Sequence, residues 1–344
     1  MFDDSRLDDE SALATADAVL RRLVEAGARV RLEASNAADA IESALTVWSE
    51  DSRPRAVIAA GPDSRLLRAV LEPWCPVPFV AWPGPSLPGW AGALDLIVVL
   101  APDGGDTGAA SAVAEAVRRG CRLVVACEPD CFVARHAEGR DSILLASSSG
   151  DQLAMAVVML DLLDRLDLGP RTDPEAVAVA LDSVAIACSP YRELSVNPAK
   201  MLAIALGGGT GLVWGGSVLA ARAGRRVAES LRRASGRAAL AGDAEHLLPV
   251  VASTRQRDLF ADPFADGDGA GDGEPRPVLV VLDDGSDDLI VREQRGRLVT
   301  AAHEHDVRVE TVTADEGEPL AKYATLLATG TYAAAYLQVG LHRT

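Results

Sequence analysis

Short, uniformly apolar runs that each end in turn residues constrain the fold of this chain more than any other feature. Runs of this kind suit strands that are covered on both faces, as in a parallel sheet. Segments with apolar residues at helical spacing lie between the runs and fit the crossovers that connect parallel strands. The runs occupy residues 56–59, 78–81, 94–100, 122–126 and 143–145, and the helical segments occupy 13–26, 37–48, 64–71 and 109–119, with Gly27 as the predicted stop of the first helix. The first half therefore predicts a doubly wound α/β domain.

The second half repeats this pattern more weakly. Its predicted strands are residues 212–214, 278–282 and 307–312, and its predicted helices are 174–187, 197–206, 218–235, 289–303 and 319–338. A helical stretch at 151–166, followed by Gly169 and Pro170, separates the halves. We therefore predict an α/β fold of two doubly wound parallel-sheet domains, at 1–150 and 171–344. Residues 151–170 form the joint, and an Asp- and Gly-rich insertion at 258–276 is expected to be solvated.

Residues 201–221 contain no charged side chain and have the length of a membrane-spanning helix. Six of these positions are glycine, however, and each glycine costs a helix about 1 kcal/mol. The pattern instead favours a helix end, a turn, a short buried strand and a second glycine turn. We therefore expect no membrane partner.

The charge balance limits the possible partners. The chain has 33 basic and 50 acidic residues, a net charge of −17, whereas nucleic acids and anionic membranes require a basic face. A small anionic ligand would have to be held by local N–H groups and hydroxyls. The odd number of cysteines, five, and a polar, acidic N-terminus unlike a signal peptide predict a cytoplasmic protein with reduced thiols.

Motifs for cofactors and metals are missing from the sequence. No Gly-x-Gly-x-x-Gly or Gly-x-x-x-x-Gly-Lys-Ser/Thr run opens a helix, and no Gly-x-Ser-x-Gly elbow is present. Cys127, Cys131 and His136 lack the second ligand pair that zinc sites usually have. We therefore expect neither a cofactor nor a metal.

Three segments carry a family resemblance. They are Glu-Leu-Ser-Val-Asn-Pro-Ala-Lys-Met-Leu-Ala at 193–203, the closing segment at 323–337, and the strand, linker and strand at 76–100. In this order they resemble the two-domain sugar isomerase (SIS) family, which includes the bifunctional phosphoglucose/phosphomannose isomerases. The resemblance implies two five-stranded parallel sheets, a homodimer and a sugar-phosphate site at the domain and subunit interface.

The same resemblance indicates candidate ligand loops. The place of the family's phosphate loop is taken by Pro-Asp-Gly-Gly-Asp-Thr at 102–107, in which two glycines allow close backbone approach and Thr107 supplies a hydroxyl. Asp-Thr before a helix is equally typical of a simple N-cap, so both interpretations stay open. The candidate substrate-binding residues are Gly61, Ser64, Gly104, Gly105, Thr107, Gly215, Gly216 and Ser217.

Aldose–ketose isomerisation needs a base and usually an acid that opens the sugar ring. Glu229 matches the position of the family's catalytic Glu, although both flanking asparagines are lost; alternatively it is a surface residue paired with Arg225 or Arg233. His246 lies near the family's His but out of frame, and is otherwise a solvated side chain. The resemblance thus predicts a phosphosugar isomerase interconverting fructose 6-phosphate with glucose or mannose 6-phosphate. The alternative is a non-catalytic regulator that binds a sugar phosphate on the same fold, and a structural protein that binds no sugar is a weaker third interpretation.

Overall fold

The computed structural model describes residues 2–48, 53–254 and 276–342. The predicted insertion at 258–276 lies outside these residues except for Arg276. The chain divides into two compact units: Glu25–Val179, called the first unit, and residues up to Val24 together with those from Ala180 onward, called the second unit. The sequence alone placed residues 1–150 in one domain and 151–170 in a joint.

The first unit is a five-stranded parallel sheet with the strand order β2-β1-β3-β4-β5. Its central strands are buried along their whole length because helices cover both faces of the sheet. Its strands are β1 (Val57–Ala60), β2 (Phe79–Trp82), β3 (Leu96–Ala101), β4 (Arg122–Cys127) and β5 (Ser142–Ala146). Its helices are α3 (Ala26–Val47), α4 (Ser64–Leu71), α5 (Thr107–Arg118), α6 (Phe132–His136) and α7 (Gln152–Arg165).

The second unit is built on a four-stranded parallel sheet with the order β7-β6-β8-β9 among the described residues. Its strands are β6 (Thr210–Gly215), β7 (Ala239–Ala241), β8 (Pro277–Asp283) and β9 (Arg308–Thr313). Its helices are α1 (Glu10–Ala14), α2 (Asp17–Val24), α9 (Pro198–Leu206), α10 (Val218–Ser235), α11 (Ala244–Ala252), α12 (Leu289–Glu304) and α13 (Pro319–Gly340), and α8 (Pro174–Ala187) leads into it from the first unit. The predicted fold class is confirmed, whereas the described part of this sheet has one strand fewer than the resemblance implied.

The uncharged stretch at 201–221 contains the end of α9, a glycine turn and strand β6, as predicted. In the parts of the chain that the structure describes, no helix has the length and apolar character needed to cross a membrane.

Some predicted helix boundaries are wrong. Gly27 does not end a helix but lies buried near the start of α3, and the predicted helix at 37–48 is the second half of that same 22-residue helix. The break between α2 and α3 lies at Glu25 instead, two residues before Gly27. Three short elements, β7, α6 and α11, were not predicted.

A buried lysine joins three parts of the second unit. Lys200 on α9 has no solvent exposure, and its ammonium group donates to Asp8 Oδ1 at 2.6 Å, Pro190 O at 2.9 Å and Arg192 O at 3.0 Å. It also lies over the ring of Tyr336 at 5.7 Å. Lys200 thereby connects the N-terminal segment, the loop before α9 and the closing helix α13.

We expect Lys200→Met to destabilise the protein by about 2–4 kcal/mol, since it removes a fully buried ammonium group and leaves the carbonyl groups of Pro190 and Arg192 without this donor. Asp8→Asn is the matched control, because the Asp8 side chain is 55% exposed and an amide oxygen there can still accept from the ammonium group, so a smaller loss is expected. Urea unfolding of both variants measures the difference. Equal losses would contradict the role of the two carbonyl groups.

A close approach between α10 and α13 depends on Gly330. A Cβ atom at this position would lie 2.3 Å from Cγ2 and 3.1 Å from Cβ of Val227, a side chain with little rotamer freedom. We expect Gly330→Ala to lower the free energy of unfolding by about 1–3 kcal/mol through overpacking. Gly296→Ala in α12 meets no atom within 4 Å and should instead stabilise by up to about 1 kcal/mol. Thermal unfolding of the two variants should shift in opposite directions.

Candidate functional site

Both sheets have a topological switch point, a pair of neighbouring strands whose connections leave in opposite directions. In the first unit these strands are β1 and β3, and in the second unit they are β6 and β8. The loops at their carboxyl ends therefore diverge and leave a crevice, which is where open α/β sheets bind ligands. Three of these four strands, β1, β3 and β6, are each followed by a loop that the sequence predicts to bind the ligand.

In the first unit, Gly61 brings the turn after β1 against the start of α5. Its φ of +88° favours glycine, and a Cβ atom there would lie 3.5 Å from Cβ of Ala109. The amide of Gly61 donates to Trp82 O at 3.0 Å. Ser64, three residues later, is buried at 1% exposure, and its hydroxyl has no hydrogen-bond partner in the described structure. The turn thus borders the crevice, whereas the Ser64 hydroxyl is enclosed.

The loop after β3 ends in an N-cap. The carboxylate of Asp106 accepts a hydrogen bond from the amide of Ala109 at 2.6 Å, which satisfies one of the free N–H groups at the start of α5. Gly105 and Thr107 are exposed beside it. The N-cap that the sequence predicts is therefore present. The Asp106 carboxylate accepts from an amide that would otherwise be free to bind an anion.

The other side of this loop rests on α6. Gly104, with φ of +61°, lies so close to Cys131 that a Cβ atom would approach Cβ of Cys131 to 2.6 Å, and its carbonyl accepts from Val133 N at 3.0 Å. Cys131 caps α6 through its sulfur, and burial raises the pKa of the Cys127 thiol at the end of β4. The loop at 102–107 thus packs against the start of α6 through Gly104 and Cys131.

In the second unit, two glycines are required by close packing. A Cβ atom at Gly215 would lie 2.4 Å from the carbonyl oxygen of Ala220, and one at Gly216 would lie 2.2 Å from Cγ1 of Val291. Ser217 follows them and caps α10 by accepting from Ala220 N at 3.0 Å. Its hydroxyl also donates to the carboxylate of Asp284, in the loop after β8. The structure thus joins the two loops of this switch point through one side-chain hydrogen bond.

The loop after β8 contains polar residues that are not among the site residues predicted from the sequence. Asp283 pairs with Arg295, and Asp288 caps α12 by accepting from the amides of its first turn. The ammonium group of Lys322 donates to the backbone carbonyl of Asp284 at 2.9 Å. Two acidic residues directly after the predicted strand at 278–282 were the available signal.

The two predicted catalytic residues lie in different places. Glu229 is roughly 16 Å along α10 from Val218, at 1.5 Å per residue, and it pairs with Arg226 at 2.7 Å and Arg233 at 2.6 Å. The pairing with Arg233 is one that the alternative interpretation predicted, and the second partner is Arg226 rather than Arg225. Glu229 is thus held on the helix surface, away from the crevice of its own unit.

His246 lies closer to the carboxyl edge. It is an exposed residue in the first turn of α11, which follows β7, the neighbour of β6. A Cβ atom at Gly242 would lie 3.5 Å from Cβ of His246. His246 and Ser217 therefore follow adjacent strands, whereas Glu229 does not share this edge.

Hydroxyl groups, carboxylates and one ammonium group thus surround the two crevices. Thr107 and Ser217 supply hydroxyls, Asp106 and Asp284 supply carboxylates, and Lys322 supplies the cation. Within each crevice, such groups can form hydrogen bonds with a polyhydroxylated ligand. The carboxylates weaken the attraction for an added phosphate.

Comparisons with known proteins identify the fold and one domain. Residues 195–341 match the family model described as the bacterial phospho-glucose isomerase C-terminal SIS domain. No curated protein matches the chain. Among solved structures, tagatose-6-phosphate ketose/aldose isomerase from Escherichia coli is similar over 94% of both chains, with a TM-score of 0.66 and 14% identity.

Two further solved structures share the fold. A glucose-6-phosphate isomerase like protein from Thermus thermophilus aligns with 84% of this chain and 82% of its own, at 17% identity and a TM-score of 0.52. The C-terminal domain of glucosamine-fructose-6-phosphate aminotransferase from Francisella tularensis aligns with 91% of this chain and 96% of its own, at 9% identity and a TM-score of 0.59. The chain therefore has a SIS-type fold over most of its length, and residues 195–341 match the bacterial phospho-glucose isomerase C-terminal SIS domain.

Proposed function

We propose that this protein binds a phosphorylated sugar at the carboxyl edges of its sheets. The observation that carries the proposal is the construction of the two switch points in a chain with a SIS-type fold. Each has a glycine turn packed against a neighbouring helix and a hydroxyl-bearing residue at a helix start, Thr107 in one unit and Ser217 in the other. Open α/β sheets bind their ligands at such positions.

The sugar part of the ligand fits these groups well. Sugar hydroxyls donate and accept hydrogen bonds, and the crevices offer both carboxylate acceptors and hydroxyl donors. We infer that the phosphate is bound less strongly than in a site without acidic residues, because Asp103 and Asp106 flank the loop at 102–107. From the resemblance we also propose a cytoplasmic homodimer.

Isomerisation between fructose 6-phosphate and glucose or mannose 6-phosphate is the finer proposal, and the position of Glu229 argues against it. A base must reach the proton that it removes. Glu229 instead forms ion pairs with two guanidinium groups on its own helix. The second candidate, a regulatory protein that binds a sugar phosphate without turnover, is therefore favoured by this specific observation.

The test is incubation of the purified protein with fructose 6-phosphate, followed by NMR of the sugar. We expect saturable shifts of the sugar signals without formation of an aldose phosphate. Glu229→Gln should behave like the wild type, because the carboxylate only pairs with surface arginines. The matched control is Glu115→Gln, since Glu115 likewise pairs with Arg118 and Arg119 on one helix.

Turnover that disappears in Glu229→Gln and persists in Glu115→Gln would establish an isomerase with Glu229 as its base. If neither shifts nor products appear with the wild type, the proposed phosphosugar binding is wrong.

The loop at 102–107 yields a second prediction. Asp106→Asn keeps a good N-cap but removes a negative charge next to the α5 N-terminus. We expect the affinity for fructose 6-phosphate to rise by roughly three- to tenfold, since one unit charge near a partly solvated phosphate changes the binding free energy by about 1 kcal/mol. Thr107→Val should weaken binding, while Thr46→Val, at an exposed threonine of α3, should not. Isothermal titration calorimetry measures these affinities, and unchanged affinity in both loop variants would exclude this loop from the site.

A further inference from the structure

Lysine is unusually rare in this chain. Only two of its 33 basic residues are lysines, Lys200 and Lys322, and arginine serves everywhere else. The two side chains are not interchangeable, because lysine presents a compact ammonium group with three donors and arginine a planar fork with five. The two lysine positions therefore indicate a local requirement for an ammonium group that a guanidinium group does not meet.

At Lys200, the protein itself supplies the acceptors for the ammonium group. Its three N–H donors have three acceptors, namely Asp8, Pro190 O and Arg192 O, and the residue is completely buried. Every donor of this ammonium group is satisfied within the fold.

Lys322 differs in this respect. It lies half-buried on α13 at the carboxyl edge of the second unit, and it donates to Asp284 O at 2.9 Å. Its Nζ atom is also 3.7 Å from the position that a Cβ atom of Gly285 would take. No carboxylate of the described residues forms an ion pair with it, so one of its three donors is used in the part of the chain that is described.

The position of Lys322 is also electrostatically unfavourable for the protein alone. It lies in the first turn of α13, where the positive end of the helix dipole repels a cation. A cation that is neither fully paired nor well placed for helix stability has the properties expected of a ligand-binding group.

The surroundings of Lys322 select the kind of ligand atom. The loop after β8 carries Asp283, Asp284, Asp287 and Asp288, so a doubly charged phosphate would be repelled there. A neutral sugar oxygen would not be repelled. Asp284 supplies the complementary acceptor, because one of its carboxylate oxygens accepts from Ser217 while the other accepts from no described residue.

We propose that Lys322 donates to a hydroxyl or carbonyl oxygen of the bound sugar and that Asp284 accepts from an adjacent hydroxyl. The proposal rests on the proposed phosphosugar binding and specifies which part of a ligand the crevice of the second unit contacts. Lys322 is a specificity-determining residue for the sugar portion, and the phosphate lies outside its reach.

The experiment compares the wild type, Lys322→Gln and Arg297→Gln by titration with fructose 6-phosphate. Arg297→Gln removes an exposed cation of the same unit, which pairs with Glu245, and serves as the control for net charge. We expect Lys322→Gln to bind about tenfold more weakly, since a hydrogen bond from a charged donor is lost, and Arg297→Gln to bind like the wild type. At saturating ligand, the ³¹P shift of the bound sugar should be the same in Lys322→Gln as in the wild type, while the ¹³C shifts of the sugar carbons should change.

Other outcomes overturn the inference in distinguishable ways. Equal affinity of Lys322→Gln and the wild type removes Lys322 from the site but leaves the proposed function intact. A changed ³¹P shift with unchanged ¹³C shifts would assign Lys322 to the phosphate instead. No binding by the wild type overturns the proposed function and this inference together. Should Lys322→Gln fail to fold, as judged by thermal unfolding, Lys322→Arg provides the second variant, and retained wild-type affinity there would contradict the need for a compact ammonium group.

Discussion

The burial of both faces of its parallel strands is the constraint on which the rest of this structure depends. Strands such as β3 and β4 have no polar face, so each must be covered by helices above and below the sheet. The crossovers between the parallel strands supply these helices. The strand order sends the connection from β1 and the connection from β3 in opposite directions, and it does the same for β6 and β8. The crevices at the carboxyl ends follow from this topology. The candidate ligand loops therefore owe their position to apolar packing rather than to any residue that could touch a ligand.

Much of the fold could be predicted because its signals are local. The apolar runs at 94–100 and 122–126 became β3 and β4, and the helix at 218–235 has the predicted bounds. Elements that depend on tertiary contacts escaped prediction. Strand β7 has three residues, too few for a pattern, and forms because β6 offers it a parallel partner. Gly27 resembles a helix stop, yet it lies in the first turn of α3, a helix that packs against α7.

The candidate site could be predicted only in part, for a similar reason. Glycine turns and N-caps are encoded by neighbouring residues, and Gly61, Gly215 and Ser217 lie where the sequence placed them. The contact of Ser217 with Asp284 joins residues 67 positions apart, and that of Lys322 with Asp284 spans 38 positions. No periodicity encodes such pairs. For Glu229, the position in the motif predicted a catalytic base. In the structure, its carboxylate forms ion pairs with two arginines, one helical turn before it and one helical turn after it.

Carboxylates lie beside the helix starts at both crevices, and they bear on the kind of ligand that these places could hold. At the start of α5, the fold satisfies a free amide with its own anion, Asp106, where an incoming phosphate would have served. At the start of α10 a neutral hydroxyl caps the helix, and the adjacent Asp284 carboxylate is bound to that hydroxyl. At both places a carboxylate of the protein itself thus takes part in the hydrogen bonding around a helix start. In the proposed phosphosugar complex these carboxylates would oppose the phosphate. A neutral sugar hydroxyl could donate to Asp284, and a sugar oxygen could accept from Lys322, without charge repulsion, so the proposed binding would depend more on the sugar than on its phosphate.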